Sequence, residues 1–168
     1  LRWNRSDAST YAGIISGAGS MTNASGTLTL SGHSPLTGGT VVTGASTLIV
    51  SGSLSNSPVT LTTNCFLKSA TRVGNLAVTG GTVDPTNATT TCTNLTVGTL
   101  TLNAGAKMRV DLANVSGAAG KEWDLITATG AINRAGAFAI DLYGTPTGFN
   151  NQTIYPSKIT AGGAAMTG

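Results

Sequence analysis

Short runs in which apolar and polar residues alternate recur along the chain at intervals of about 20 residues. The interval is 20 residues from Leu28 to Leu48, 22 from Leu54 to Leu76 and 19 from Leu76 to Leu95. Each run has the period of two that indicates a β-strand with one buried face. The clearest runs are Leu28–Leu30, Leu48–Val50, Val59–Leu61, Leu76–Val78, Leu95–Val97, Leu100–Leu102 and Met108–Leu112.

Glycine-rich breaks separate these runs, and glycine allows the chain to turn a corner with positive φ. They lie at residues 17–19, 38–39, 80–81 and 117–120. Short strands and glycine corners at this period predict a β-solenoid, in which parallel windings stack about 4.8 Å apart around one core. About eight windings would give a column on the order of 40 Å long. A β-sandwich is the alternative, but the long repeat and the absence of Asn-Gly and Asp-Gly hairpin turns disfavour it.

The composition supports an all-β chain and excludes several functional classes. Charged residues are 9% of the chain, against about 25% in ordinary soluble domains, and 29 residues are threonine, a strand former. The nine lysines and arginines are scattered singly, so we expect no nucleic-acid partner. No apolar run approaches the roughly 18 residues that a membrane span needs, so we expect no transmembrane segment. Sparse charge also leaves little electrostatic repulsion to oppose self-association.

The segment after Gly120 differs from the repeats before it. It holds five of the eight aromatic residues, which are Trp123, Phe138, Tyr143, Phe149 and Tyr155. Repeat proteins need atypical terminal units to cover their open ends. We therefore divide the chain into a solenoid repeat region at 1–120 and a C-terminal β cap or interface region at 121–168 that continues the solenoid.

The two cysteines, Cys65 and Cys92, leave two possibilities open. As a disulfide they would stabilise the fold by about 3–4 kcal/mol on the chain-entropy description. As separate thiols they would be small buried apolar groups. The disulfide is the preferred prediction.

Residues that could perform chemistry are scarce, with one histidine, one glutamate and five aspartates in the chain. Catalysis needs several titratable groups that converge. Asp111 and Asp141 lie in strand alternations, which predicts solvent-facing positions for both. We therefore expect no catalytic site, no cofactor and no bound metal, although a polysaccharide-cleaving β-helix is an alternative because a solenoid brings distant residues together.

One stretch carries a pattern that extends beyond simple alternation. It runs from Tyr11 through Gly26-Thr-Leu-Thr-Leu-Ser-Gly32 and Thr37-Gly-Gly-Thr-Val-Val to Leu48-Ile-Val. It resembles the autotransporter-associated β-strand repeat of large bacterial surface proteins. The resemblance implies a right-handed parallel β-helix, export from a bacterial cell and attachment at the cell surface.

These observations predict a secreted structural protein that acts outside the cell. The chain begins at Leu1 without an initiating methionine, as a processed secreted chain would. We expect a fibre subunit that assembles head to tail, because a column of parallel windings ends in two strand edges. The predicted meeting surfaces contain Leu1, Arg2, Trp3, Tyr143, Phe149 and Tyr155.

Two other readings of the same fold stay open. One is a monomeric adhesin or autotransporter passenger spacer, with cell-surface or matrix polysaccharide as a partner. The other is ice binding through outward Thr-x-Thr units such as Thr27-Leu-Thr29 and Thr60-Leu-Thr62, which would need stacked threonines on one flat face.

Overall fold

The computed structural model contains β-strands and no helix among the residues it describes, which are 1–86, 92–148 and, as strand backbone, 160–162. All pairings between these strands are parallel, as the repeat predicts. In this part of the chain no helix has the length and hydrophobicity of a bilayer span. The strands are β1 (Arg2–Tyr11), β2 (Met21–Leu30), β3 (Thr40–Val42), β4 (Thr47–Val50), β5 (Ser53–Leu54), β6 (Val59–Leu61), β7 (Phe66–Ser69), β8 (Arg72–Val73), β9 (Leu76–Val78), β10 (Thr82–Asp84), β11 (Asn94–Val97), β12 (Leu100–Leu102), β13 (Ala106–Asp111), β14 (Leu125–Ala128), β15 (Ile132–Arg134), β16 (Phe138–Tyr143) and β17 (Thr160–Gly162).

The strands form three ladders, and each winding of the chain contributes one strand to each of them. The first ladder runs β3-β6-β9-β12-β15 and the second β4-β7-β10-β13-β16. Both begin on the long strand β2, whose start pairs with β3 and whose end pairs with β4, and β1 lies beyond β2. The third ladder is β5-β8-β11-β14-β17. Stacked parallel windings of this kind are consistent with a β-solenoid, and the predicted number of about eight windings stays a prediction.

The spacing between stacked partners starts at the predicted repeat and then grows. Successive partners along β2 and the first ladder are separated by 19, 19, 17, 24 and 32 residues, and they are Met21, Thr40, Val59, Leu76, Leu100 and Ile132. The strand pairing continues across residue 120, because β14, β15 and β16 pair with β11, β12 and β13 in the same ladders.

The extra residues enter at one corner, between the second and third ladders. Two residues connect β4 to β5 and two connect β7 to β8, but residues 85–93 connect β10 to β11 and residues 112–124 connect β13 to β14. We call this edge the insertion corner. Connections that lengthen on one face of a repeat protein commonly carry its function.

The core consists of apolar side chains stacked in columns from one winding to the next. Leu28, Leu48, Leu67, Val83 and Met108 form one such column, and each is buried. The alternation therefore predicted the inward faces correctly.

The outward columns do not form the uniform threonine face that ice binding would need. The column through Thr22, Thr60 and Thr101 is interrupted by Val41 and Ala77. The parallel column in the second ladder carries Lys68 and Asp84.

Close backbone approach explains two glycines at corners. A Cβ added to Gly52 would lie 2.1 Å from the carbonyl oxygen of Gly32 in the winding before it. Gly44 combines a similar 2.1 Å approach to the Ala24 oxygen with a φ of 68°, a region that side-chain-bearing residues seldom adopt.

Candidate functional site

The predicted interface residues in the described part of the chain lie at the two ends of the stack. Arg2 and Trp3 are in β1, the outermost strand beyond β2, and Leu1 next to them is 67% exposed. Tyr143 ends β16, the last strand of the second ladder, and is exposed. Phe149 and Tyr155 lie outside the described residues.

Both ends also expose apolar side chains that the sequence analysis did not select. Tyr11 and Ile14 are exposed beside β1, while Ile140 and Leu142 are exposed on β16, the latter at 62%. Ile140 and Leu142 continue inward columns, so they are exposed because no described strand stacks on them. The alternation of residues 138–143 carried this signal, since it has the pattern of an inner strand.

A small apolar cavity of about 110 Å³ lies under β1. Leu1, Trp3, Tyr11, Ile15, Met21, Leu28 and Leu30 line it. Trp3 and Ile15 are only partly buried and pack against the core. The core at this end is therefore covered by single side chains of β1 and the turn after it.

The insertion corner brings together three carboxylates that are distant in sequence. Asp84 ends β10, Asp111 ends β13 and Asp124 immediately precedes β14. Oxygen atoms of all three lie within 4.8 Å of one another. The side chains of Asp84, Asp111 and Asp124 are 1%, 13% and 0% exposed, so this carboxylate cluster is largely shielded from water.

Asp124 ties neighbouring windings together through backbone hydrogen bonds. Its Oδ1 accepts the N–H of Thr93 at 2.7 Å, and its Oδ2 accepts the N–H of Asp111 at 2.8 Å. The Asp124 N–H donates in turn to the Asp111 carbonyl at 2.9 Å, which closes the base of the 112–124 connection. The Thr93 hydroxyl donates to the Pro85 carbonyl and closes the base of the 85–93 connection in the same way.

Two basic side chains face Asp84 from the strands on either side. Lys68 Nζ and Arg109 Nη1 each lie 3.8 Å from Asp84 Oδ2, and Arg109 Nη2 lies 3.2 Å from Asp111 Oδ1. The Arg109 guanidinium also stacks 4.1 Å from the ring centre of Tyr143. Neither oxygen of Asp84 has a hydrogen-bond partner, although the side chain is buried.

Burial makes two of the carboxyls hard to ionise. It raises the pKa of Asp124 to about 7, against the opposing effect of the two backbone N–H groups that it accepts. Burial also raises the pKa of Asp84 above its ordinary value, although Arg109 and Lys68 act against the increase. With Asp124 protonated, two carboxylates balance two cations. With all three ionised, one negative charge is left over.

The carboxylate cluster has the oxygen donors that a divalent cation prefers, so Asp84, Asp111 and Asp124 are the residues that could hold one. Lys68 and Arg109 would repel such an ion, because their charges already offset two of the carboxylates. The predicted absence of a metal stays a prediction.

An open cleft of about 230 Å³ lies beside the cluster. Asp111 and Tyr143 line it together with Cys92, Leu112, Ala113, Gly144 and Thr145. A molecule in this cleft would meet Asp111 before the other two carboxylates, because Asp124 has no exposed surface.

Two predictions from the sequence require correction. The predicted disulfide between Cys65 and Cys92 is not formed, and both residues are buried thiols that lie near different oxygens. Cys65 Sγ lies 3.6 Å from the Thr63 carbonyl, and Cys92 Sγ lies 3.5 Å from the Asp111 carbonyl. Asp111 does not face solvent as the strand alternation predicted, because it points into the carboxylate cluster.

Comparisons with known proteins found no match, whether among family models, curated proteins or solved structures.

Proposed function

We propose that the chain is a secreted structural subunit of an extracellular filament and that copies join head to tail. The observation that carries the proposal is the state of the two ends of the stack. Inward columns end in exposed apolar residues on β16, and β1 presents a ten-residue strand edge at the other end. Such edges pair readily with another strand, and contacts between unlike ends propagate without closing.

The proposed subunit is a right-handed parallel β-helix. Connections between parallel strands of one sheet are right-handed in about 98% of cases, because right-twisted strands favour that crossover. Residues 121–168 are proposed to continue the column and to form its C-terminal cap or interface. The continued ladders through β14, β15 and β16 support this division.

The low charge of the chain supports assembly outside the cell without a dedicated partner. Charged residues make up 9% of the sequence, so repulsion between copies is weak. The resemblance of residues 11–50 to a repeat of bacterial surface proteins favours an exported protein. No catalytic role is part of the proposal.

The test compares charge placed at the end of the column with charge placed on its side. The variant Ile140→Lys with Leu142→Lys puts two charges on exposed apolar positions of β16, and burying such charges costs far more than burying the native side chains. Thr60→Lys is the matched control, because Thr60 is exposed on an inner winding. We expect fibres visible by electron microscopy from the native chain and from Thr60→Lys, and none from the double variant.

Circular dichroism should show that the double variant keeps its β-structure, since both substitutions are at exposed positions. Fibres of the double variant at the native yield would contradict the proposal. A native chain that stays monodisperse at every concentration would contradict it as well.

A monomeric adhesin or passenger spacer is the second proposal, and the insertion corner favours it. Long connections and an open cleft on one edge of a repeat column are typical of a binding surface, with cell-surface or matrix polysaccharide as the proposed partner. Sedimentation separates the two proposals, because the spacer would remain a single species while the filament subunit would not.

A further inference from the structure

The first strand repeats the two-part pairing of the inner windings. In β1, Arg2 and Trp3 align with the start of β2, and Ala8–Tyr11 align with its end. A register shift separates the two halves, just where β2 passes from the first ladder to the second. β1 is therefore a template for one more pair of strands on its outer edge.

The strands that end the two ladders have matching positions. Following the partners from winding to winding places each residue of the two halves of β1 in a column that ends on β15 or β16. The column ends are Arg2 with Asn133, Trp3 with Arg134, Ala8 with Ala139, Ser9 with Ile140, Thr10 with Asp141, and Tyr11 with Leu142.

The corners between the halves also match in length. Four residues separate Trp3 from Ala8, and four separate Arg134 from Ala139. The corner of β1 carries the exposed ion pair of Arg5 and Asp7, joined at 2.7 Å. The equivalent corner at the far end is an open cleft of about 470 Å³ lined by residues 134–138, where three small residues leave room for charged side chains.

The side chains at the column ends are compatible as direct neighbours. Leu142 would cover Tyr11, so that two exposed apolar groups are buried together. Arg134 would lie over Trp3, and a guanidinium over an indole face is a favourable cation–π arrangement. No column brings two like charges together, since Asp141 would meet the hydroxyl of Thr10.

We infer that the partner of the β1 edge is a second copy of this chain, docked in the register of the internal ladders with β15 and β16 paired in parallel on the two halves of β1. The inference rests on the proposed filament and specifies its junction. Each junction then continues both ladders from one copy into the next, with Thr10 of one copy directly opposite Asp141 of the other.

Disulfide trapping tests this register. Directly paired residues of adjacent parallel strands lie within the Cα separation of about 4.4–6.8 Å that a disulfide spans, whereas a shift of two residues moves them beyond about 7 Å. The test variant is Thr10→Cys with Asp141→Cys. Within one chain these positions are six strand steps apart, roughly 29 Å, so a covalent link between them must join two copies. The shifted control is Ala8→Cys with Asp141→Cys, and Thr10→Cys alone controls for the native cysteines.

After mild oxidation of assembled material, we expect a ladder of covalent oligomers on a denaturing gel for the in-register pair. Its yield should exceed that of the shifted pair by about tenfold, because only the former meets the geometry of a disulfide. Fibres that form while the two pairs cross-link equally would overturn the register and leave the filament standing. If the native chain forms no fibres or oligomers at all, both the filament and its register are overturned.

Discussion

The carboxylate cluster makes the stability of the fold depend on pH, and Asp124→Asn tests its origin. The pKa of Asp124 is raised from 3.8 to about 7 in the folded chain. The folded state therefore holds a proton that the unfolded state has lost between these values, and stability decreases as pH rises through this window. The stabilisation is fully present below about pH 4 and is absent above about pH 7.

The size of the effect follows from the shift. Each pKa unit corresponds to about 1.4 kcal/mol, so a shift of roughly three units gives about 4 kcal/mol between pH 4 and pH 7. Asparagine cannot ionise, so the variant should lose most of this pH dependence. Its amide can still accept one of the two backbone N–H groups, and leaving the other unsatisfied costs about 1–3 kcal/mol. We therefore expect Asp124→Asn to be less stable than the native chain at pH 4 and of similar or greater stability at pH 8.

Urea unfolding at a series of pH values from 4 to 9 measures this difference. The assay is best done in the Ile140→Lys, Leu142→Lys background so that assembly does not contribute. Asp84 also has a raised pKa, so a smaller slope of the same sign should remain in the variant. Asp7→Asn is the control, because Arg5 lowers the pKa of Asp7 to about 2 and its pH dependence lies below the window. An unchanged slope in Asp124→Asn would refute the reasoning.

Two further predictions test the column itself. Leu30→Ala should lower the unfolding free energy by about 2–5 kcal/mol through lost burial and a cavity, while Thr29→Ala, which points outward, should change it by less than about 0.5 kcal/mol. Equal values in chemical denaturation would contradict the strand register. Gly52→Ala should destabilise by about 1–3 kcal/mol because its Cβ meets the backbone of the neighbouring winding, whereas Gly19→Ala, with nothing within 4 Å, should have little effect on the thermal midpoint. Similar midpoints for these two variants would show that the windings can separate at this corner.

The sequence predicted the strands because their signal is local. The pattern at 28–30 already contains an inward leucine on either side of an outward threonine, and the structure places all three as expected. The repeat of about 20 residues likewise fixed which runs stack, since early windings have nearly constant length. The close approach at Gly52 could not be inferred in the same way, because it depends on the carbonyl of another winding.

The carboxylate cluster escaped prediction because its members are not one repeat apart. Asp84 and Asp111 are 27 residues apart and Asp124 follows after 13 more, since two insertions change the length of the windings there. Strand alternation alone placed Asp111 on the solvent side, and only the fold of the 112–124 connection turns that position into a buried one. A residue whose surroundings come from an insertion cannot be assigned by periodicity.

Electron microscopy of the assembled native chain, with helical reconstruction, tests most directly whether windings stack continuously from one copy to the next. The second ladder with β1 and β2 contains seven strands among the described residues. Strands about 4.8 Å apart then predict an axial rise near 34 Å per subunit, with the same strand spacing across each junction. Fibres whose subunits meet through their sides, or a junction with a gap in the 4.8 Å spacing, would contradict the account.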